Sequence, residues 1–68
     1  MLTNYENLIP KKVLFNIKEI EEIGAIKASM IKKLISHGQI EIVKIGNKIH
    51  VTRIELIRFL EDNTISPN

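Results

Sequence analysis

Six bases, Lys27, Lys32, Lys33, Lys44, Lys48 and Arg53, share the stretch from 27 to 53 with a single acid, Glu41, a local net charge of +5. The remainder carries Lys11, Lys12, Lys18 and Arg58 against Glu6, Glu19, Glu21, Glu22, Glu55, Glu61 and Asp62, a net charge of −3. Lysine ammonium groups donate to phosphate oxygens or to guanine O6 and N7, and serine hydroxyls bond either base or backbone. Ser29 and Ser36 lie among these lysines. No arginine falls between 27 and 36, so the bidentate reading of guanine is unavailable there and the attraction is mainly electrostatic. Segregation of charge on this scale is the electrostatic footprint expected of a nucleic-acid-binding chain, although a plain solvated face gives the same run of charge.

Other chemistries find little support. His37 and His50, without cysteine and without a nearby pair of carboxylates, have no metal-ligand spacing, and solvated or capping roles suit them better. Glu21-Glu22 and Glu61-Asp62 are sequence neighbours, which point apart on a helix and make no acid/base dyad. Neither a phosphate-binding glycine loop nor a nucleophile elbow is present. The expectation is a protein that is not an enzyme and needs no cofactor, metal or small-molecule ligand.

The bounds on the whole chain agree. Sixty-eight residues and 7.8 kDa make one domain with one small core, and zero cysteines exclude disulfides and thiolate chemistry. A hydrophobic fraction of 44% with 26% charged residues fits a folded domain. The pI near 9.1 is a mild sign of an anionic partner; the overall charge of +2 is too small to say more. Nothing approaches the roughly 20 apolar residues of a membrane span. Met1 to Pro10 has neither the basic start nor the apolar stretch of a signal peptide, so a cytoplasmic address is expected.

The elements that must position the bases follow from periodicity. Residues 1–13 have no clear period and read as a flexible lead-in. Asn16-Ile17-Lys18-Glu19 is a capping box opening a helix on which Ile17, Ile20 and Ile23 share a face and which Gly24 ends, with Phe15 packing back over its first turn. In a second helix Met30, Ile31, Leu34 and Ile35 form an apolar stripe, Ile26 plugs the turn before it, and Ala28, Ser29, Lys32, Lys33 and Ser36 face the other side. His37 and Gly38 close it. The β-branched runs 40–45 and 48–51 flank Gly46-Asn47, a two-residue turn signal for a hairpin. A strict two-residue loop pairs Lys44 with Ile49; a longer loop with a bulge re-sorts the faces, and the sequence leaves both open. Thr52-Arg53-Ile54-Glu55 offers a second capping box for a last helix with Leu56, Phe59 and Leu60 on one face, Ile57 beside it and Ile54 off it. Residues 63–68 read as a flexible tail. With fourteen isoleucines in the chain, Ile54, Ile57, Ile65 and the Leu8-Ile9 pair need not all fit inside.

The order helix, helix, β-hairpin, helix resembles the excisionase family. The residues carrying the resemblance are Phe15-Asn16-Ile17-Lys18-Glu19, Lys33-Leu34-Ile35-Ser36-His37-Gly38 and Lys44-Ile45-Gly46-Asn47-Lys48-Ile49-His50-Val51. These are small winged helix-turn-helix proteins that share their DNA-binding architecture with MerR-type regulators. The likeness covers about 14–62 and is strongest to the short excisionases of conjugative transposons and phages, which set the direction of recombination by tyrosine integrases. It implies a small α+β winged helix-turn-helix domain over 14–62. Lys27, Ala28, Ser29, Lys32, Lys33 and Ser36 would then belong to a recognition helix in the major groove of double-stranded DNA. Lys44, Asn47, Lys48 and Arg53 would belong to a wing. An integrase and neighbouring copies on DNA are the implied partners, and site bending the implied role. The chain departs from the family pattern at Glu21 and Gly24, at Lys27 where a serine or threonine normally caps the recognition helix, and at Lys32 where an aromatic is common. Two other readings stand beside this one: a small phage or plasmid transcriptional regulator of the same fold, and a protein-interaction module with a basic face.

Overall fold

The computed structural model describes residues 3–65 and residue 67. It is a small α+β fold with four helices and a three-stranded antiparallel sheet. The elements are α1 (Tyr5–Leu8), β1 (Leu14–Asn16), α2 (Ile17–Glu22), α3 (Ala28–Ser36), β2 (Val43–Ile45), β3 (Lys48–Thr52) and α4 (Arg53–Asp62).

The strict two-residue loop is the one adopted. Val43 pairs with His50, Lys44 with Ile49 and Ile45 with Lys48. Gly46 takes φ +61° at the first loop position, while Asn47 stays at negative φ. That combination belongs to the II′ family of turns, whose twist matches the flanking strands. Residues 40–42 are not part of the strand; Ile40 is buried and Ile42 half-buried in the core instead. The sheet has a strand that the periodicity of the sequence did not announce. Leu14–Asn16 pairs with β3, Phe15 opposite Val51, so β3 is the central strand in the order β1-β3-β2. Phe15 therefore packs from the sheet rather than merely folding back over α2, and both it and Val51 are fully buried.

Helix α2 starts and stops for local reasons. At α2 the capping box is complete: Asn16 Oδ1 accepts from the Glu19 amide at 2.8 Å, and Glu19 Oε1 accepts from the Asn16 amide at 2.9 Å. At its other end Gly24, φ +81°, lets the Gly24 amide reach the Glu21 carbonyl and the Ala25 amide reach the Ile20 carbonyl. This is a Schellman closure, which needs a residue able to sit at positive φ. The second closes α3, where the Gly38 amide donates to the Ile35 carbonyl and the Gln39 amide to the Leu34 carbonyl. The core gathers Ile20, Ile31, Leu34, Ile40, Leu56 and Ile57 beneath Phe15 and Val51, with Ile9 from the N-terminal segment. Ile17, Ile26 and Ile35 pack half-buried against it. Met30, expected in the α3 stripe, is 48% exposed, and Ile57, expected beside the α4 face, is buried within it. Ile54, Ile65 and Leu8 stay outside.

Residues 3–13 depart from the expected flexible lead-in, and residues 1 and 2 lie outside the described part. Tyr5–Leu8 is helical, Ile9 is buried and Tyr5 packs on the core. The agent is Arg53. Its guanidinium donates through Nη1 to Glu6 Oε2 at 2.8 Å and through Nη2 to the carbonyls of Glu6 at 2.8 Å and Ile9 at 3.1 Å. Nε adds the Pro10 carbonyl at 3.0 Å. The planar fork thus ties up carbonyls at the end of α1, where a cation is favoured. The expected tail at 63–68 also starts by packing: the Thr64 hydroxyl pairs with the Tyr5 hydroxyl and bonds the Leu60 carbonyl. Ser66 and Asn68 lie outside the described residues.

Only half of the second capping box forms. Thr52 Oγ1 accepts from the Glu55 amide at 3.0 Å. The buried Glu55 carboxylate turns away from Thr52, accepting from the Glu41 amide at 2.7 Å and from Arg58 Nε and Nη2 at 2.6 and 2.8 Å. The Arg58 guanidinium, helped by the Glu41 amide and opposed by burial, holds the Glu55 carboxyl below its ordinary value, and the same pairing holds Arg58 more firmly protonated.

Two outcomes follow for stability. Because the folded-state pKa of Glu55 is lowered, its contribution is complete above the ordinary glutamate value near 4.5 and is lost as pH falls through the folded value. Glu55→Gln should therefore lower stability at neutral pH and flatten the acid limb of a stability-against-pH curve measured by urea unfolding. Arg53→Ala should cost roughly 1–3 kcal/mol and raise amide exchange over residues 5–9, and Arg53→Lys should recover little of either, since an ammonium cannot make the four directed bonds.

Candidate nucleic-acid interface

Helix α3 presents its polar residues as one ridge. At 100° per residue, Ser29, Lys32, Lys33 and Ser36 fall within an arc of about 100°, with Ile31 and Leu34 on the opposite side. All four polar residues are exposed, while Ile31 and Leu34 are buried; Ala28 lies at the margin, half-buried. Packing of the apolar stripe thus fixes which way the ridge faces, and the short turn through Gly24 fixes α3 against α2. The Ser36 hydroxyl donates back to the Lys33 carbonyl at 3.0 Å, leaving its oxygen as an acceptor rather than a free donor.

The hairpin carries Lys44, Asn47 and Lys48 exposed at and beside its turn. Paired residues share a face and neighbours alternate, so the observed register puts Lys44 with Ile49 on the side of Val51 and Phe15. Lys48 falls on the other side with Ile45, Val43 and His50. The two lysines therefore lie on opposite faces of the ribbon instead of lining one surface. His50 is half-buried between Asn16 and Val43, its Nδ1 enclosed without a hydrogen-bond partner.

The ion pairs separate the bases into two groups. Lys12 pairs with Glu19 and lies 5.0 Å over the Phe15 ring, Arg53 pairs with Glu6, and Arg58 pairs with Glu55 and Asp62. The Lys12 ammonium and the Asn16 amide hold the Glu19 carboxyl below its ordinary range. Among the described residues Lys11, Lys18, Lys27, Lys32, Lys33, Lys44 and Lys48 make no ion pair and are exposed, and the last five lie on or beside α3 and the hairpin. Arg53, expected with the wing residues, leaves that set. It is sequestered with 17% of its side chain exposed, and its donors are spent on the N-terminal segment. The basic surface is thus an all-lysine one.

Sequence reasoning missed one residue at this surface. Lys27, the residue before α3, has no side chain that can cap, and the α3 amino end is served instead by Glu21, whose Oε2 accepts from the Ala28 amide at 2.8 Å. The available signal was the helix start without a serine, threonine, aspartate or asparagine, a short turn downstream of two glutamates. Among the described residues no cluster of three or more His, Asp or Glu could hold a metal ion, and no helix is long and apolar enough to cross a membrane. Comparison with known proteins returns no matching family model, no matching curated protein and no matching solved structure.

Proposed function

We propose that this chain is a winged helix-turn-helix protein that binds double-stranded DNA, with α3 as the recognition helix in the major groove and the β2–β3 hairpin as the wing. The observation that carries the reading is the state of the bases on α3 and the hairpin: among the described residues Lys27, Lys32, Lys33, Lys44 and Lys48 are exposed and make no ion pair, as is true of Lys11 and Lys18 elsewhere, while Lys12, Arg53 and Arg58 are held by acids of the chain. A major groove about 12 Å wide admits a helix such as α3. Lys32 and Lys33 then serve phosphates or guanine edges, Ser29 and Ser36 offer further bonds, and Lys27 sits at the helix entrance. Lys44 and Lys48 reach phosphates on the two sides of the ribbon, and Asn47 at the tip reaches a neighbouring minor groove. With no arginine on α3, affinity is largely electrostatic and preference among sequences modest.

The likeness of 14–62 to excisionases favours an architectural, non-catalytic role within that reading: a cytoplasmic protein that binds repeated sites, bends them and assists a tyrosine integrase. The low count of possible phosphate contacts suits a protein that acts in several copies on one segment of DNA rather than as a tight single binder.

Two measurements test the reading. With about 4–6 phosphate contacts, affinity for a duplex should fall on the order of 10²–10³-fold between about 50 and 200 mM salt in an anisotropy titration; a flat response would remove the electrostatic basis. In the same assay Lys32→Ala and Lys33→Ala should weaken binding while the unfolding midpoint hardly moves, whereas Leu34→Ala should cost about 2–5 kcal/mol of stability by opening a cavity under α3. Unchanged affinity in both lysine variants would show that α3 is not the element that meets DNA.

A further inference from the structure

We propose that Glu21 sets the register of the duplex on α3: its carboxylate occupies the amino end of the helix, denies that end to phosphate, and leaves the duplex to the Lys32-Lys33 end and the hairpin. This inference rests on the duplex-binding reading above.

The amino end of a helix gathers unsatisfied amides and a partial positive charge, which makes it a ready partner for an anion. DNA-binding helices use such ends for phosphate. In α3 the first turn contains no acidic residue and Lys27 supplies no capping oxygen. The first amide is nevertheless taken, because Glu21 Oε2 accepts from Ala28 N at 2.8 Å. Glu21 and its neighbour Glu22 are exposed, so a full negative charge stands in solvent beside the first turn of the helix. No acid occurs between Glu22 and Glu41, and the bases Lys32 and Lys33 lie at and just past the middle of α3. The surface is therefore graded along the helix: at the amino end Glu21 offsets Lys27, and from the middle onward Lys32 and Lys33 stand without an acid beside them. That is the reverse of the gradient of its own backbone dipole. A phosphate backbone crossing α3 meets compensated charge at one end and uncompensated lysines further along, which fixes where along the helix the strand lies. Glu21 is a positioning residue here: it acts through α3 and by offsetting Lys27, a device of specificity by exclusion.

Glu21→Gln separates the two parts of this role. The glutamine carbonyl still accepts from Ala28 N, while the charge is gone. In salt-dependent anisotropy titrations of the full chain against a labelled random-sequence duplex, Glu21→Gln should bind roughly three- to tenfold more tightly near 0.1 M salt. The slope of log affinity against log salt should steepen by about 0.9, the value for one more phosphate neutralised, here by Lys27 once the acid that offsets it is gone. Glu22→Gln, an equal change of charge at a side chain that does not hold the Ala28 amide, should leave the slope unaltered. If Glu21→Gln does not fold, the same comparison is made in a Lys27→Asn background, where asparagine caps α3 locally. The charge effect is then the ratio between Lys27→Asn and Lys27→Asn/Glu21→Gln. An unchanged slope in folded Glu21→Gln, or weaker binding by it, overturns the inference while Lys33→Ala still weakening the wild-type complex leaves the duplex-binding reading intact. A wild-type chain with no salt-dependent affinity for the duplex overturns both.

Discussion

The pairing of Phe15 with Val51 is the constraint on which the remaining architecture turns. Both side chains are fully buried, and they join the segment before α2 to the central strand of the sheet. Asn16, the last residue of β1, is also the N-cap of α2, so the strand pairing that seats Phe15 fixes the origin of that helix. At the other end of β3, Thr52 is both the last strand residue and the N-cap of α4. Two helices thus spring from two adjacent strands with no intervening loop. The core beneath them, Ile20, Ile31, Leu34, Leu56 and Ile57, is closed by α3, which in turn has only one way to face its polar ridge. A loss of apolar area at Phe15 would loosen all three helices at once.

From that frame the fate of each base follows. Arg53 and Arg58 stand in the first and second turns of α4, where the N-terminal segment and Glu55 are within reach, and both guanidinium groups are consumed by directed hydrogen bonds. Arginine suits that work because its planar fork satisfies several acceptors in one geometry. The lysines of α3 and the hairpin make no ion pair among the described residues; apart from Glu41, the acids of the chain lie in α1, α2 and α4. Both arginines serve as internal fasteners, whereas of the lysines only Lys12 is drawn into an ion pair among the described residues.

Much of this was legible in the residues. The α2 capping box, the α3 stripe of Ile31 and Leu34, the hairpin turn at Gly46-Asn47 (though not its register) and the exposure of Ile54 all express local rules, in which a few adjacent residues determine the outcome. What was not legible depends on partners distant in sequence. The strand at 14–16 is three residues long and too short to show alternation, so it exists only because β3 lies beside it. The order of residues 5–9 depends on Arg53, more than forty positions away. The half-formed box at Thr52 fails because Glu55 finds Arg58 and the Glu41 amide, which outbid its own N-cap. The candidate surface divides in the same way. The lysine ridge could be read from periodicity, whereas the removal of Arg53 and the role of Glu21 required the fold.

The start of α3 shows how a broken local rule can be informative. Lysine is a poor residue with which to begin a helix, and its cation stands at the end where the dipole is already positive. A serine or aspartate at that position would satisfy the first turn within the element itself. Capping instead by Glu21, from the preceding helix, makes the amino end of α3 dependent on the α2–α3 turn, so the two helices are fastened as one unit rather than packed as two. It also places the acid on one element and the base on the next, so that Glu21 and Lys27 bracket the turn with opposite charge while the ridge beyond stays wholly cationic. Local consistency has been given up at one position, and what replaces it is a longer-range contact that orders a surface.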